Sequence, residues 1–131
     1  MSQAYEKECL DLTFPAAGTC TKYGPVKLGA TGVQDCGAGE EAIGVAQNGT
    51  TTTGRSVRVR VLGVSKVTAS AAISAGAKIQ AAGSGKVVTA TALDGTWSGA
   101  AVNPCGKLLS TAAGADDDVV EAFVFPYYFG T

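Results

Sequence analysis

Two stretches of the chain spell nearly the same thing. Lys27-Leu28-Gly29-Ala30-Thr31-Gly32 and Lys78-Ile79-Gln80-Ala81-Ala82-Gly83 both read Lys, branched aliphatic, any, Ala, any, Gly. Each is followed by a Gly-rich turn, a small-residue segment (Gly44-Val45-Ala46 against Gly99-Ala100-Ala101-Val102) and then an apolar run of β type, 57–61 and 119–125. Duplicated strand-and-turn units in which neither copy carries a recognisable reactive group imply a chain whose product is a shape and a surface. The reading is an all-β protein, a small sandwich or barrel, built from two strand-turn-strand units at about 24–67 and 76–126.

Composition sharpens this. Of 131 residues, 62 are Gly, Ala, Ser or Thr, so nearly half the chain adds little apolar area at about 25 cal/mol per Å² buried. One domain, 15–131, with an arm and edge strand at 1–14, can bury a core, yet gains from neighbours. An oligomer or a place in a larger assembly is expected. Ten basic residues balance eleven acidic ones, and the only basic grouping is Arg55, Arg58 and Arg60, so nucleic acid is not an expected partner. The first eight residues lack an apolar signal core, and no stretch approaches the roughly 18 apolar residues of a membrane helix. The expectation is a protein made in a cytosol and not inserted in a membrane.

Four cysteines, Cys9, Cys20, Cys36 and Cys105, are irregularly spaced with no histidine to complete a zinc site. They read as reduced, mostly buried small hydrophobes, with Cys9 to Cys20 or Cys36 to Cys105 bridges open only in an oxidising medium.

Along the chain, Cys9-Leu10-Asp11-Leu12-Thr13-Phe14 alternates as an edge strand would, with Leu10, Leu12 and Phe14 on one face, until Pro15 ends it. Short strands are predicted at 26–28, 33–34 and 42–46, and a polar loop at 48–54. In Ser56-Val57-Arg58-Val59-Arg60-Val61 the period of two is strict. It slips at Leu62-Gly63-Val64, which predicts a bulge at Gly63. The segment 68–75 reads equally as one helical turn or a loop. A hairpin is predicted at 78–89 around Ala81-Ala82-Gly83-Ser84-Gly85, and Gly114-Ala115-Asp116-Asp117-Asp118 suits a tight turn before the last strand.

Absence of histidine removes the commonest general base and the hydrolytic triads. Glu40-Glu41, or Asp116-Asp117-Asp118 with Glu121, could bind a hard cation or act as acid and base, but adjacent residues on a turn or strand point apart and suit solvated charges better. Gly83-Ser84-Gly85-Lys86 matches only the tail of a phosphate loop and runs into a strand, so a hairpin turn is the better reading. No catalytic residue, metal site or cofactor is assigned.

The candidate contact residues are aromatic and aliphatic. Five of nine aromatics, Phe123, Phe125, Tyr127, Tyr128 and Phe129, fall in the last nine positions, where they either fold back over the core or meet a partner. Tyr5, Leu10, Leu12 and Phe14 belong to an N-terminal arm that is either frayed or adds a strand to a neighbour. Trp97 sits alone in the segment 93–104 that distinguishes the two repeats.

The order Leu10-Asp11-Leu12-Thr13, Pro15-Ala16-Ala17-Gly18, Gly24-Pro25-Val26-Lys27-Leu28-Gly29 and Glu40-Glu41-Ala42-Ile43-Gly44-Val45-Ala46 resembles the small capsid decoration (cement) proteins of tailed bacteriophages. Ala75-Gly76-Ala77-Lys78-Ile79, Gly85-Lys86-Val87-Val88-Thr89 and the ending 112–124 resemble the same family. The resemblance implies a non-enzymatic structural protein on the outer surface of the assembled, expanded phage head. There it would stabilise contacts between capsomers, with the major capsid protein and its own copies, often in a homotrimer, as partners. Trp97, the cysteines and the aromatic tail do not map onto that pattern. The competing reading is an adhesive or carbohydrate-binding module of a fibre or surface structure, with Trp97 and the tyrosines stacking on sugar rings. A small enzyme using Glu40, Glu41 or Asp116 is a third.

Overall fold

A computed structural model describes residues 9–90, 104–109 and 114–125. The described residues form nine strands and no helix: β1 (Leu10–Pro15), β2 (Pro25–Gly29), β3 (Gly32–Asp35), β4 (Gly44–Ala46), β5 (Ser56–Thr68), β6 (Lys78–Gly83), β7 (Lys86–Thr89), β8 (Pro104–Leu108) and β9 (Val119–Val124). They make one antiparallel sheet in the order β3-β2-β4-β5-β9-β8-β6-β7, with β1 also on β5, curled into a half-barrel. The all-β expectation holds, and the segment 68–75 carries no helix.

The thirteen residues of β5 organise everything else. Its first part, 56–62, pairs with β1 and β4, and its second, 63–68, with β9. Val57, Val59, Gly63, Ser65 and Val67 are buried, whereas Arg58, Leu62, Val64 and Lys66 are exposed, so one inward-facing phase runs the length of the strand. The bulge expected at Gly63 is therefore corrected. The shift lies against β1, where Leu10 opposes Leu62 but Asp11 opposes Arg60, leaving Val61 as the extra residue. Gly63 and Ser65 occupy inward positions, and their small size hides the period from a reading that looks for large apolar residues.

Two small cores result. One gathers Val26, Val33, Ala46, Val57 and Val59 with Ala16 and Cys20; Phe14, Ile43 and Val61 pack against it. The other gathers Val67, Ile73, Ile79, Val87, Leu108, Val120 and Val124 with Val45 and Cys105. In three-residue β4 all positions are buried, and successive side chains point to opposite faces, sending Val45 into one core and Ala46 into the other.

The hairpin at 78–89 ties the halves together. Gly83 pairs with Lys86 around Ser84 (φ 55°) and Gly85 (φ 74°), a two-residue turn of type I′ sign that matches strand twist. A Cβ on Gly24 would lie 2.7 Å from the Cα of Gly85, and one on Gly85 would overlap the side chain of Thr21, so this turn sits backbone to backbone on the other half.

Candidate shell-contact face

Opposed residues in an antiparallel pair share a face. On the outer face of the sheet, Leu10 opposes Leu62 and Val64 opposes Phe123. These four are 50%, 41%, 42% and 39% exposed, a cluster of large apolar side chains in water beside the point where β1, β5 and β9 meet. The Phe123 ring lies 5.6 Å from that of Phe125 at a tilt of 36°, a tilted contact within the favourable centroid range that extends the apolar row.

An open groove of about 650 Å³ runs alongside, walled by Tyr23, Val64, Leu109 and Phe123 and bordered by Cys9, Gln47, Arg60, Lys66 and Glu121. Gln47 Nε2 donates to Ser65 Oγ (2.9 Å) and to the Val45 carbonyl (3.1 Å), satisfying the buried hydroxyl beneath the groove. Tyr23 has a left-handed backbone (φ 65°), and its ring carries two ammonium groups, Lys22 at 5.0 Å and Lys66 at 5.9 Å. Arg60 is held by Asp11, whose carboxyl sits below its ordinary value because the guanidinium donates to it.

Of the residues predicted as contacts, Leu10, Phe123 and Phe125 gather at this face. Leu12 opposes Val59 and is 43% exposed. Phe14 opposes Val57 and packs half-buried against the first core. Tyr5, Trp97, Tyr127, Tyr128 and Phe129 lie outside the described residues. Leu62, Val64 and Tyr23 escaped the sequence reading. The first two were legible in principle, because an unbroken period through β5 turns both outward.

Four of the candidate acidic groups have structural partners. Glu40 pairs with Lys27, which holds its carboxyl below the usual range. Asp116 and Asp117 bind Lys86 at 2.9 and 2.7 Å, and Asp118 accepts the Gly114 and Ala115 amides at 2.8 and 3.1 Å. Lys86, the lysine of the phosphate-loop fragment, thus opens β7 with its charge already engaged. Among the described residues no cluster of three or more His, Cys, Asp or Glu could hold a metal ion. Cys20, Cys36 and Cys105 are buried and Cys9 is exposed.

A family model described as phage cement protein matches residues 5–121, most of the chain and all but the last strand positions of the sheet. The chain belongs to the phage cement protein family. It is thus a structural component of a phage particle, as the resemblance in its Gly- and Ala-rich strings implied. Comparison with curated protein sequences finds no match. Among solved structures, the fold resembles the N base of head fiber gp8.5 of bacteriophage phi29, with a TM-score of 0.66 and 13% identity over 95% of this chain and 100% of that one. At that identity the likeness bears on the fold of this cement-family chain and on nothing finer.

Proposed function

We propose that this protein seats on the outer surface of the assembled phage head and strengthens it by bridging neighbouring capsomers. Its partners are the major capsid protein and other copies of itself in a homotrimer. Family membership supports this reading, and the observation that carries it is the exposed row Leu10, Leu62, Val64 and Phe123 at the junction of three strands. A surface of that kind on a small protein with two modest cores gains stability by being covered.

Cementing needs no reaction. A protein that binds only the closed lattice and touches two or more capsomers stabilises the lattice by linkage, because its binding free energy is lost when the capsomers part. The residues before β1, which is itself paired with β5 of its own chain, serve as an arm that pairs with a shell strand or a neighbouring protomer, while Phe123, Phe125 and the aromatic residues beyond pack at the interface. The similar fold of a head fiber's base in phi29 is in keeping with a unit mounted on a head. The test is thermal disruption of expanded heads with and without added protein. Heads that survive to higher temperature in proportion to occupancy support the proposal, and heads equally labile at full occupancy contradict it.

A further inference from the structure

The outward positions of the sheet gather charge as well as apolar side chains. Opposed residues run in one row across four strands: Val64 on β5 faces Phe123 on β9, Phe123 faces Lys107 on β8, and Lys107 faces Lys78 on β6. Beside that row Lys66 faces Glu121. Arg58 and Arg60 point outward from the first part of β5, opposite Thr13 and Asp11. Lys22 stands at the margin, its ammonium 5.0 Å from the Tyr23 ring that Lys66 also approaches, at 5.9 Å.

Among the described residues, this part of the outer face, from β1 and β5 to β6 with the Tyr23 turn, holds six of nine basic side chains but two of eight acidic ones, Asp11 and Glu121. The remaining basic residues are Lys27 and Lys86, which have carboxylate partners, and Arg55. An excess of four positive charges therefore surrounds the exposed apolar row, on a chain whose net charge is −1.

We propose that the shell surface under this face is acidic, with capsid-subunit carboxylates set around an apolar patch, and that Lys66, Lys78 and Lys107 are the cations they meet. The proposal rests on the cementing reading and adds the chemistry of the partner. An apolar centre inside a polar, charged rim is the anatomy of a protein interface. Leu10, Leu62, Val64 and Phe123 supply the centre, and exposed lysines on three strands supply the rim. Three strand spacings, about 14 Å, separate Val64 from Lys78, well inside a standard patch of about 800 Å², roughly 30 Å across. Lys78 and Lys107 are like charges in direct register, an arrangement that a sheet disfavours on its own and that a carboxylate placed between them turns to attraction. Nucleic acid fits this footprint less well, because its phosphates would meet four apolar side chains and two carboxylates.

The test follows association of labelled protein with expanded empty heads at about 0.05 and about 0.5 M NaCl, between which the screening length falls from about 14 to about 4 Å. Salt is expected to slow association about tenfold. Lys78→Gln combined with Lys107→Gln should slow it several-fold at the lower salt and flatten the salt dependence. Lys27→Gln combined with Lys86→Gln, which removes the same charge elsewhere, should not. The salt series on the parent chain stands whether or not either double variant folds. Tight binding indifferent to salt, or equal losses in the two double variants, overturns the proposal and leaves cementing in place. No binding at either salt overturns the cementing reading and this inference with it. Displacement from heads by excess short duplex DNA would assign the face to phosphates and likewise overturn the proposal.

Discussion

Asp11 and Arg60 stand opposite each other on β1 and β5, joined by two hydrogen bonds, Nε to Oδ1 at 2.8 Å and Nη2 to Oδ2 at 3.0 Å. Arg60 also donates through Nη1 to the Val64 carbonyl at 2.8 Å, so one guanidinium fastens the first strand across the register shift that opens the exposed face. Arg58 reaches the same carboxylate at 3.4 Å. Bidentate geometry makes this pair stronger than a loose surface ion pair, while partial exposure limits it.

Asp11→Asn is expected to lower stability by about 1 kcal/mol at neutral pH, read by urea denaturation. The Asp11 carboxyl titrates below its ordinary 3.8, chiefly through its bond to Arg60. A depressed carboxyl contributes stability above the unfolded-state value and loses it as pH falls through the lower folded value. The parent should therefore lose this increment below about pH 4, and the difference between parent and Asp11→Asn should shrink over the same interval.

Gly85→Ala should cost more than Gly54→Ala. Both glycines have positive φ, 74° and 91°, so both substitutions carry the left-handed penalty of about 1 kcal/mol. Around Gly54 a new Cβ meets nothing within 4 Å, whereas at Gly85 it overlaps Thr21. The excess, about 1–3 kcal/mol for an overpacked contact, measures how firmly the hairpin docks on the other half. Equal losses in thermal melts would show that the docking contributes nothing.

Ile79→Ala should cost about 3 kcal/mol, since Ile79 is fully buried and among the largest side chains of its core. Leu28→Ala, at a position 52% exposed, should stay within about 0.5 kcal/mol. Chemical denaturation of the two variants checks both values.

Thiol chemistry should separate Cys9 from the rest. Burial pushes the Cys36 and Cys105 thiols up to about 12, leaving about one molecule in ten thousand as thiolate at pH 8. Burial also raises Cys20. Ellman's reagent at pH 8 should find one fast thiol in the native protein and four in denaturant.

Much of the architecture could be read from local signals. Gly83-Ser84-Gly85 announced the hairpin because positive φ at three successive positions demands small residues, and Val57-Arg58-Val59 announced β5 because its period is undisguised. The period failed at Gly63 and Ser65, where small residues face the core and carry no hydrophobic mark. In 68–75, Ala69 and Ile73 are buried within an irregular connection, a tertiary outcome that neither helix nor strand propensity expresses. At the candidate face, Leu10 and Phe123 were picked out by hydrophobicity alone. Their convergence on Leu62 and Val64 depends on β1 and β9 abutting along β5, a pairing between residues some 50 to 60 positions apart that no local pattern encodes.

Binding of the labelled protein to expanded empty heads, measured beside binding to unassembled shell subunits, tests the cementing account most directly. The account predicts saturable binding to heads, weakened when residues 2–8 are removed, and no comparable binding to free subunits. Equal affinity for free subunits and heads, or no binding to heads at all, would contradict it.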